Sequence, residues 1–312
     1  MRLRQTHRPR SGQFHPQLES LEGRCCPSLA VQGHTFNVIG TSGDDQILLR
    51  DGGHGNVTAT IVDAQGHKSS FSASGVQRIV INAQGGDDRI NYALTASLTA
   101  AEQIVINAGS GDNQINLDFS KGISAPSLGL QIQGGTGDDT LSATFGSILN
   151  TNLSFKGDLG SGFGHATVLL AGDVKGNAKV TIALLAGAGF DGMSIQERGN
   201  IGAAAQVSLK AQGGSQSSTV HIDYTGKLDG KLTIEALGSL NADWLESTIN
   251  LTPGSTGYLT VHENGGRGDD LLVLLVHDKG SQLKLRDALA DGGSGTSYSI
   301  HTGNVHTLHI SS

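Results

Sequence analysis

The chain has 312 residues, a net charge of −7 and 46 glycines, with five prolines and 4% aromatic residues. Few prolines exclude a collagen or a Pro-rich linker, and a hydrophobic share of 37% excludes wholesale disorder. An acidic body excludes nucleic acid as its partner, and the length suffices to bury a core.

Residues 1–28 hold five arginines against Glu19 and Glu22, a net of +3, so the remainder of the −7 chain carries −10. MRLRQTHRPR begins like the basic region of a secretory signal, but no apolar stretch comes after it. The next stretch, LESLEGRCCPS, places Leu18, Glu19, Leu21, Glu22, Arg24 and Pro27 in a pattern that resembles the LEPR-XLL-type leader of planctomycete secreted and surface proteins. The resemblance implies an exported bacterial protein at the cell surface or outside the cell. It implies no activity. Residues 1–33 are therefore expected to be a basic disordered leader or sorting segment. Cys25 and Cys26 are the only cysteines, and adjacent cysteines seldom bridge each other, so a disulfide framework is excluded. No stretch of 18 apolar residues predicts a transmembrane segment.

Residues 34–76 come next. GTSGDDQIL (40–48) brings the first acidic turn, and 49–76 carries turn signals at Asp51–Gly53 and Ala64–Gly66. This segment is expected to form antiparallel hairpin strands that cap the N-terminal end of the repeats beyond it, because an open sheet end is a sticky edge.

From residue 77 the chain repeats. IVINA occurs at 79–83 and again at 104–108, each copy succeeded by glycines and acidic residues. The turn markers are Asp87, Asp112, Asp138, His165, Phe190, Ser217, Glu246, Asp269 and Thr296, spaced 23 to 29 residues apart; Asp44 marks an earlier copy. Between markers lie short runs that alternate apolar and polar residues, the signature of strands. LTASLTAAEQ (94–103) is the best helix candidate and reads better as a loop. A unit of about 26 residues cannot bury its apolar face alone, but stacked on its neighbours it can. The predicted fold is all-β: a right-handed parallel β-solenoid, or β-helix, over 77–312, with about nine or ten coils and a hairpin-like N-terminal cap. Ile79, Ile81 and Ala83 should then stack on Ile104, Ile106 and Ala108 inside.

GGTGDDTLS (134–142) resembles the calcium-binding nonapeptide of RTX proteins at Gly134, Gly135, Gly137, Asp139 and Leu141. It occurs once per coil, which the tandem calcium β-roll of that family does not do. Two readings of the turns stand. Asp87, Asp88, Asp112, Asp138 and Asp139 are candidate calcium ligands, because stacking brings like charges together and a divalent ion relieves them. Alternatively, these residues hydrogen-bond the turn backbone beside glycines at positive φ. Arg267–Gly268–Asp269 spells a recognition tripeptide, but the repeat itself demands Gly and Asp there. His301, His306 and His309 cluster near the end with poor spacing for a metal pair on a strand.

The chain supports two functions from different classes. The first is an exported, non-enzymatic structural or adhesive repeat protein, calcium-stabilised under the ligand reading, with cell-surface or matrix components as partners. The second is a carbohydrate-active β-helix enzyme of the polysaccharide lyase or hydrolase type. Such an enzyme needs carboxylates or cations converging on a groove with aromatic platforms, whereas this chain has one Trp and four Tyr.

Overall fold

The computed structural model describes residues 27–278 and, further on, 280, 282–283, 285–291, 298–302 and 308–311. Leu18 to Cys26, Thr296 and His306 lie outside the described residues, so the leader motif and the histidine cluster have no structural account. The described chain is strand and turn, without helix. In the stretch at 94–103, residues 95–101 are loop, and Leu94, Glu102 and Gln103 belong to the two flanking strands.

The first strands are β1 (Ser28–Gln32), β2 (Thr35–Ile39), β3 (Gln46–Asp51), β4 (Val57–Val62), β5 (Lys68–Ala73), β6 (Arg78–Asn82), β7 (Arg89–Leu94), β8 (Glu102–Ser110) and β9 (Gln114–Phe119). They alternate buried and exposed residues, as in Gln46–Asp51, where Ile47, Leu49 and Asp51 face inward. Two twelve-stranded sheets result. One runs β1–β2–β6–β8 and on in chain order to Leu308–Ser311; the other runs β5–β4–β3–β7–β9 and on to Tyr298–Thr302. From β2 and β3 onward every neighbour is parallel, so the fold is a parallel β-solenoid. Eight consecutive coils run from Arg78 to Asp278, flanked by the β2–β3 coil and by the terminal strands.

Each coil passes from the first sheet through a glycine-rich corner into the second sheet and returns by a narrow third face. That face is closed by one buried aliphatic residue per coil: Leu98, Ile123, Ile148, Val174, Ile201 and Leu228 form a single ladder. Inside, the two IVINA copies stack in register, Ile79 on Ile104 and Ile81 on Ile106, all fully buried. Identical strands place identical side chains above one another, which explains the repeated word. Tyr92, Phe119 and Phe145 form an aromatic file in the same core, with ring centroids 4.8 and 5.2 Å apart.

The boundaries differ from the sequence expectation at two places. Ser28–Gln32, inside the predicted leader, is a strand antiparallel to β2. The solenoid starts at Thr35 rather than at 77, because β2 and β3 pair parallel with β6 and β7. The Gly40–Asp45 corner already has the repeat chemistry, and the extra residues after it form β4 and β5, which add to β3 antiparallel. At this end Phe71 of β5 packs edge-on against Phe36 of β2, with centroids 5.8 Å apart.

The stacked core predicts a face-dependent cost. Ile104→Ala, at a fully buried position, should lose about 2–5 kcal/mol, whereas Asn107→Ala, on the exposed face of the same strand, should change stability by less than about 0.5 kcal/mol. Chemical denaturation of the two variants measures the contrast.

Candidate functional site

The glycine-rich corner is a six-residue turn repeated on every described coil. Its fifth position is exposed, except at the half-buried Ser217, and its sixth is buried, as in Asp87 and Asp88 or Asp138 and Asp139. Glycine is required where coils touch: at Gly111 (φ +104°) and Gly137 (φ +118°) a Cβ would collide with the carbonyl of the preceding coil's glycine. Gly111 N–H instead donates to Thr136 O at 2.8 Å.

The outer positions form a hydrogen-bonded file. Asp87 N–H donates to Asp44 Oδ1, Asp112 N–H to Asp87 Oδ1, Asp138 N–H to Asp112 Oδ1 and Phe163 N–H to Asp138 Oδ1, each at 2.8 Å. Each carboxylate thus caps the equivalent amide of the following coil. The inner positions do the reverse. Asp45 N–H donates to Asp88 Oδ1, Asp88 N–H to Asn113 Oδ1 and Asn113 N–H to Asp139 Oδ1, at 2.8–3.0 Å. Farther along, Gly164 N–H donates to Asp191, Ser218 N–H to Asp243 and Asp243 N–H to Asp270. Asn113 performs this role with a neutral amide, so the tie itself needs an acceptor, not a charge.

Where the inner residue's second oxygen goes depends on its own turn. In Asp45, Asp191 and Asp243 it accepts the N–H four residues back, from Thr41, Gly187 and Ser239. In Asp88, Asp139 and Asp270 the residue four back is Gln84, Gly135 or Gly266, all at positive φ, and Oδ2 is left buried without a partner among the described residues. Burial pushes Asp88 up to about 7 and Asp270 up to about 6, and raises Asp139 as well.

The predicted ligands therefore share one corner but not one role. Asp87, Asp112 and Asp138 line an exposed edge, one per coil, with Oδ1 held by the next coil; Asp88 and Asp139 lie behind them, buried. Among the described residues no three His, Cys, Asp or Glu side chains converge as a metal site would. Two of the expected markers are displaced. Register puts Phe163, not His165, above Asp138, and Ala242, not Glu246, beside Asp269.

Past Asp138 the outer file changes chemistry. Phe163 and Phe190 occupy the aspartate slot and stack on each other, centroids 5.9 Å apart and planes 10° from parallel, although they are 59% and 55% exposed. Beyond them a groove of about 540 Å³ is lined by Phe190, Ser217, Thr219, Trp244, Asp269 and Leu271, with Trp244 48% exposed. The sequence pattern carries one signal of this groove, an aromatic residue at Phe190 in a slot that elsewhere holds aspartate, and it does not by itself point to a site.

A third group of carboxylates lies within the core. Asp51 accepts from the Tyr92 hydroxyl at 2.7 Å and from Gly53 N–H at 2.6 Å, and Glu102 sits beside them. Burial and the adjacent Asp51 push Glu102 up to about 9. Burial pushes Glu197, which accepts Gly199 N–H, up to about 8, and Glu263 up to about 7. Burial thus favours the protonated form of all three carboxyls, most strongly in Glu102.

The chain matches no protein-family model, and no curated protein or solved structure is significantly similar to it. No helix among the described residues is long and apolar enough to cross a membrane.

The corner geometry can be tested one tie at a time. Asp112→Asn should keep the tie to Asp138 N–H, while Asp112→Ala should cost about 1 kcal/mol and speed hydrogen exchange at the Asp138 amide. Stability should also depend on pH in an unusual direction. Glu102, Glu197 and Glu263 have folded values raised above those of the unfolded chain, so their contribution is complete below about 4.5 and is lost as pH rises through 7 to 9. Urea midpoints should therefore fall from pH 5 to pH 9. Glu197→Gln should remove about 1.4 kcal/mol per pH unit of that slope below pH 8.

Proposed function

We propose that the chain is an exported, non-enzymatic rod with a structural or adhesive role at the cell surface or in the surrounding matrix. The carrying observation is the fate of its corner carboxylates, which tie coil to coil instead of converging on a cleft. The LESLEGR leader resemblance supports export. Calcium enters this reading as a counter-ion: neighbouring outer carboxylates about 4.8 Å apart repel by about 1 kcal/mol in water, and a divalent cation on the edge of Asp87, Asp112 and Asp138 relieves that repulsion.

The aromatic groove favours one second reading, a polysaccharide lyase or hydrolase. Glycoside hydrolysis usually takes two carboxyl groups facing each other, roughly 5–9.5 Å apart. Of the acidic residues at this groove, Asp191 and Asp243 have both oxygens on backbone amides, and Asp270 is buried and bonded to Asp243 N–H. Asp269 is the one exposed carboxylate there. A single exposed carboxylate supports holding a ligand rather than cleaving it.

The test has two parts. Cell fractionation of the source organism should find the full chain in the surface or extracellular fraction, and deletion of residues 1–26 should leave it inside the cell. Incubated with a panel of plant, fungal and bacterial polysaccharides, the purified full chain should release neither reducing ends nor unsaturated products. Cytoplasmic residence of the full chain, or product release, would refute this function.

A further inference from the structure

The inner carboxylates behind the groove between Phe190 and Leu271 tie the coils, but the exposed rings along it take no part in those hydrogen-bonded files. Phe163, Phe190 and Trp244 expose large ring surfaces to solvent, and each stands where register would equally admit a polar residue. On the same corner the outer slot holds Asp44, Asp87, Asp112 and Asp138. In the row two residues further along the chain, Trp244 follows Thr219 and precedes Leu271 on the adjoining strands. The solenoid thus concentrates exposed aromatic surface on one stretch of one edge, with Ser217, Thr219 and Asp269 between and beside the rings.

That mixture selects a kind of ligand. A purely apolar partner would cover the hydroxyls of Ser217 and Thr219 without offering them a hydrogen bond. A compact ion would make no use of the rings. A sugar ring presents an apolar C–H face and a rim of hydroxyls; the first covers an aromatic face, and the second donates to a carboxylate or exchanges hydrogen bonds with Ser and Thr. Phe190 and Trp244 stand two coils apart, about 10 Å along the axis, so the groove offers two platforms to one extended chain. The groove is open and runs with the solenoid axis, which suits a polymer better than a monosaccharide. Charge narrows the choice further. Asp269 lines the groove, and the body carries the chain's negative charge, so an anionic glycan is repelled.

We propose that the Phe190–Trp244 groove binds a neutral polysaccharide chain, with the two rings as stacking platforms and Asp269, Ser217 and Thr219 as hydroxyl partners. The proposal deepens the adhesive reading above by naming the class of partner, and it rests on that reading.

Trp244 is the single tryptophan, so its emission reports on the groove directly. The full chain is titrated with cellohexaose, chitohexaose and, as the anionic control, hexagalacturonate, all in the presence of a chelator. At least one neutral hexamer should produce a saturable emission change, and hexagalacturonate should produce none. Phe190→Ala should weaken that binding about fivefold, while Leu149→Ala, exposed on the third face, should not alter it. By calorimetry, Trp244→Phe should retain binding and Trp244→Ala should lose it, both with the parent melting temperature.

No saturable response to either neutral hexamer overturns the proposal, and so does equal binding of hexagalacturonate. An emission change that follows protein concentration and ignores sugar overturns it too, since the rings would then be an interface between copies. Cleavage of a bound hexamer would refute the non-enzymatic function while upholding the groove as a neutral-glycan site.

Discussion

Most backbone N–H groups at the corner of this solenoid must find their partner on the coil beside them. Along the strands this is automatic, because the parallel ladder pairs every coil with its neighbours. At the corner some amides still find a carbonyl of the adjoining coil, as Gly111 finds Thr136, but those of Asp87 and Asp88 meet side-chain oxygens instead, and buried amides without partners are costly. The two aspartate files solve this problem at adjacent positions. The outer file accepts from the coil that follows and the inner file from the coil that precedes, so each acidic turn is tied in both directions. Corner glycines are the complement, since they let the backbones come close enough for these short bonds.

Two files with separate duties leave room for function. The inner file recurs down the rod as Asp45, Asp88, Asn113, Asp139, Asp191, Asp243 and Asp270, interrupted at Gly164, which has no side chain, and at Ser218, whose own N–H still bonds Asp243. The outer slot gives up aspartate at Phe163, Phe190, Ser217 and Ala242, and there the edge changes from acidic to aromatic. Structure is kept at the buried position and chemistry varies at the exposed one. The buried carboxyls Glu102, Glu197 and Glu263 add a different constraint, polar groups that fit the core in protonated form.

The architecture is legible in the chain because each level repeats the same instruction. The two IVINA copies name the stacking partners, and register confirms them residue for residue. The markers fail at His165 and Glu246 for a definite reason. Both are an even number of residues from the true positions, Phe163 and Ala242, and a strand pattern of period two is unchanged by an even slip. The start of the solenoid is masked in the sequence because the hairpin β4–β5 interrupts the period directly after the first coil. The groove is hidden there because Phe163, Phe190 and Trp244 are far apart in sequence, and only coil register brings them to one edge.

The constant step along the chain also governs how the rod is made. Corner partners on successive coils lie 25, 26 or 27 residues apart, so closing each new coil costs nearly the same loop entropy however long the rod becomes. The exception is the first coil, whose partners are 43 residues apart and whose closure costs about 0.5 kcal/mol more. Contact order therefore does not grow with length, and a chain emerging from one end can add coils in sequence, each templated by the last. Elongation is cheapest within the body, so the β2–β3 coil is more readily recruited by coils already formed than made as their seed.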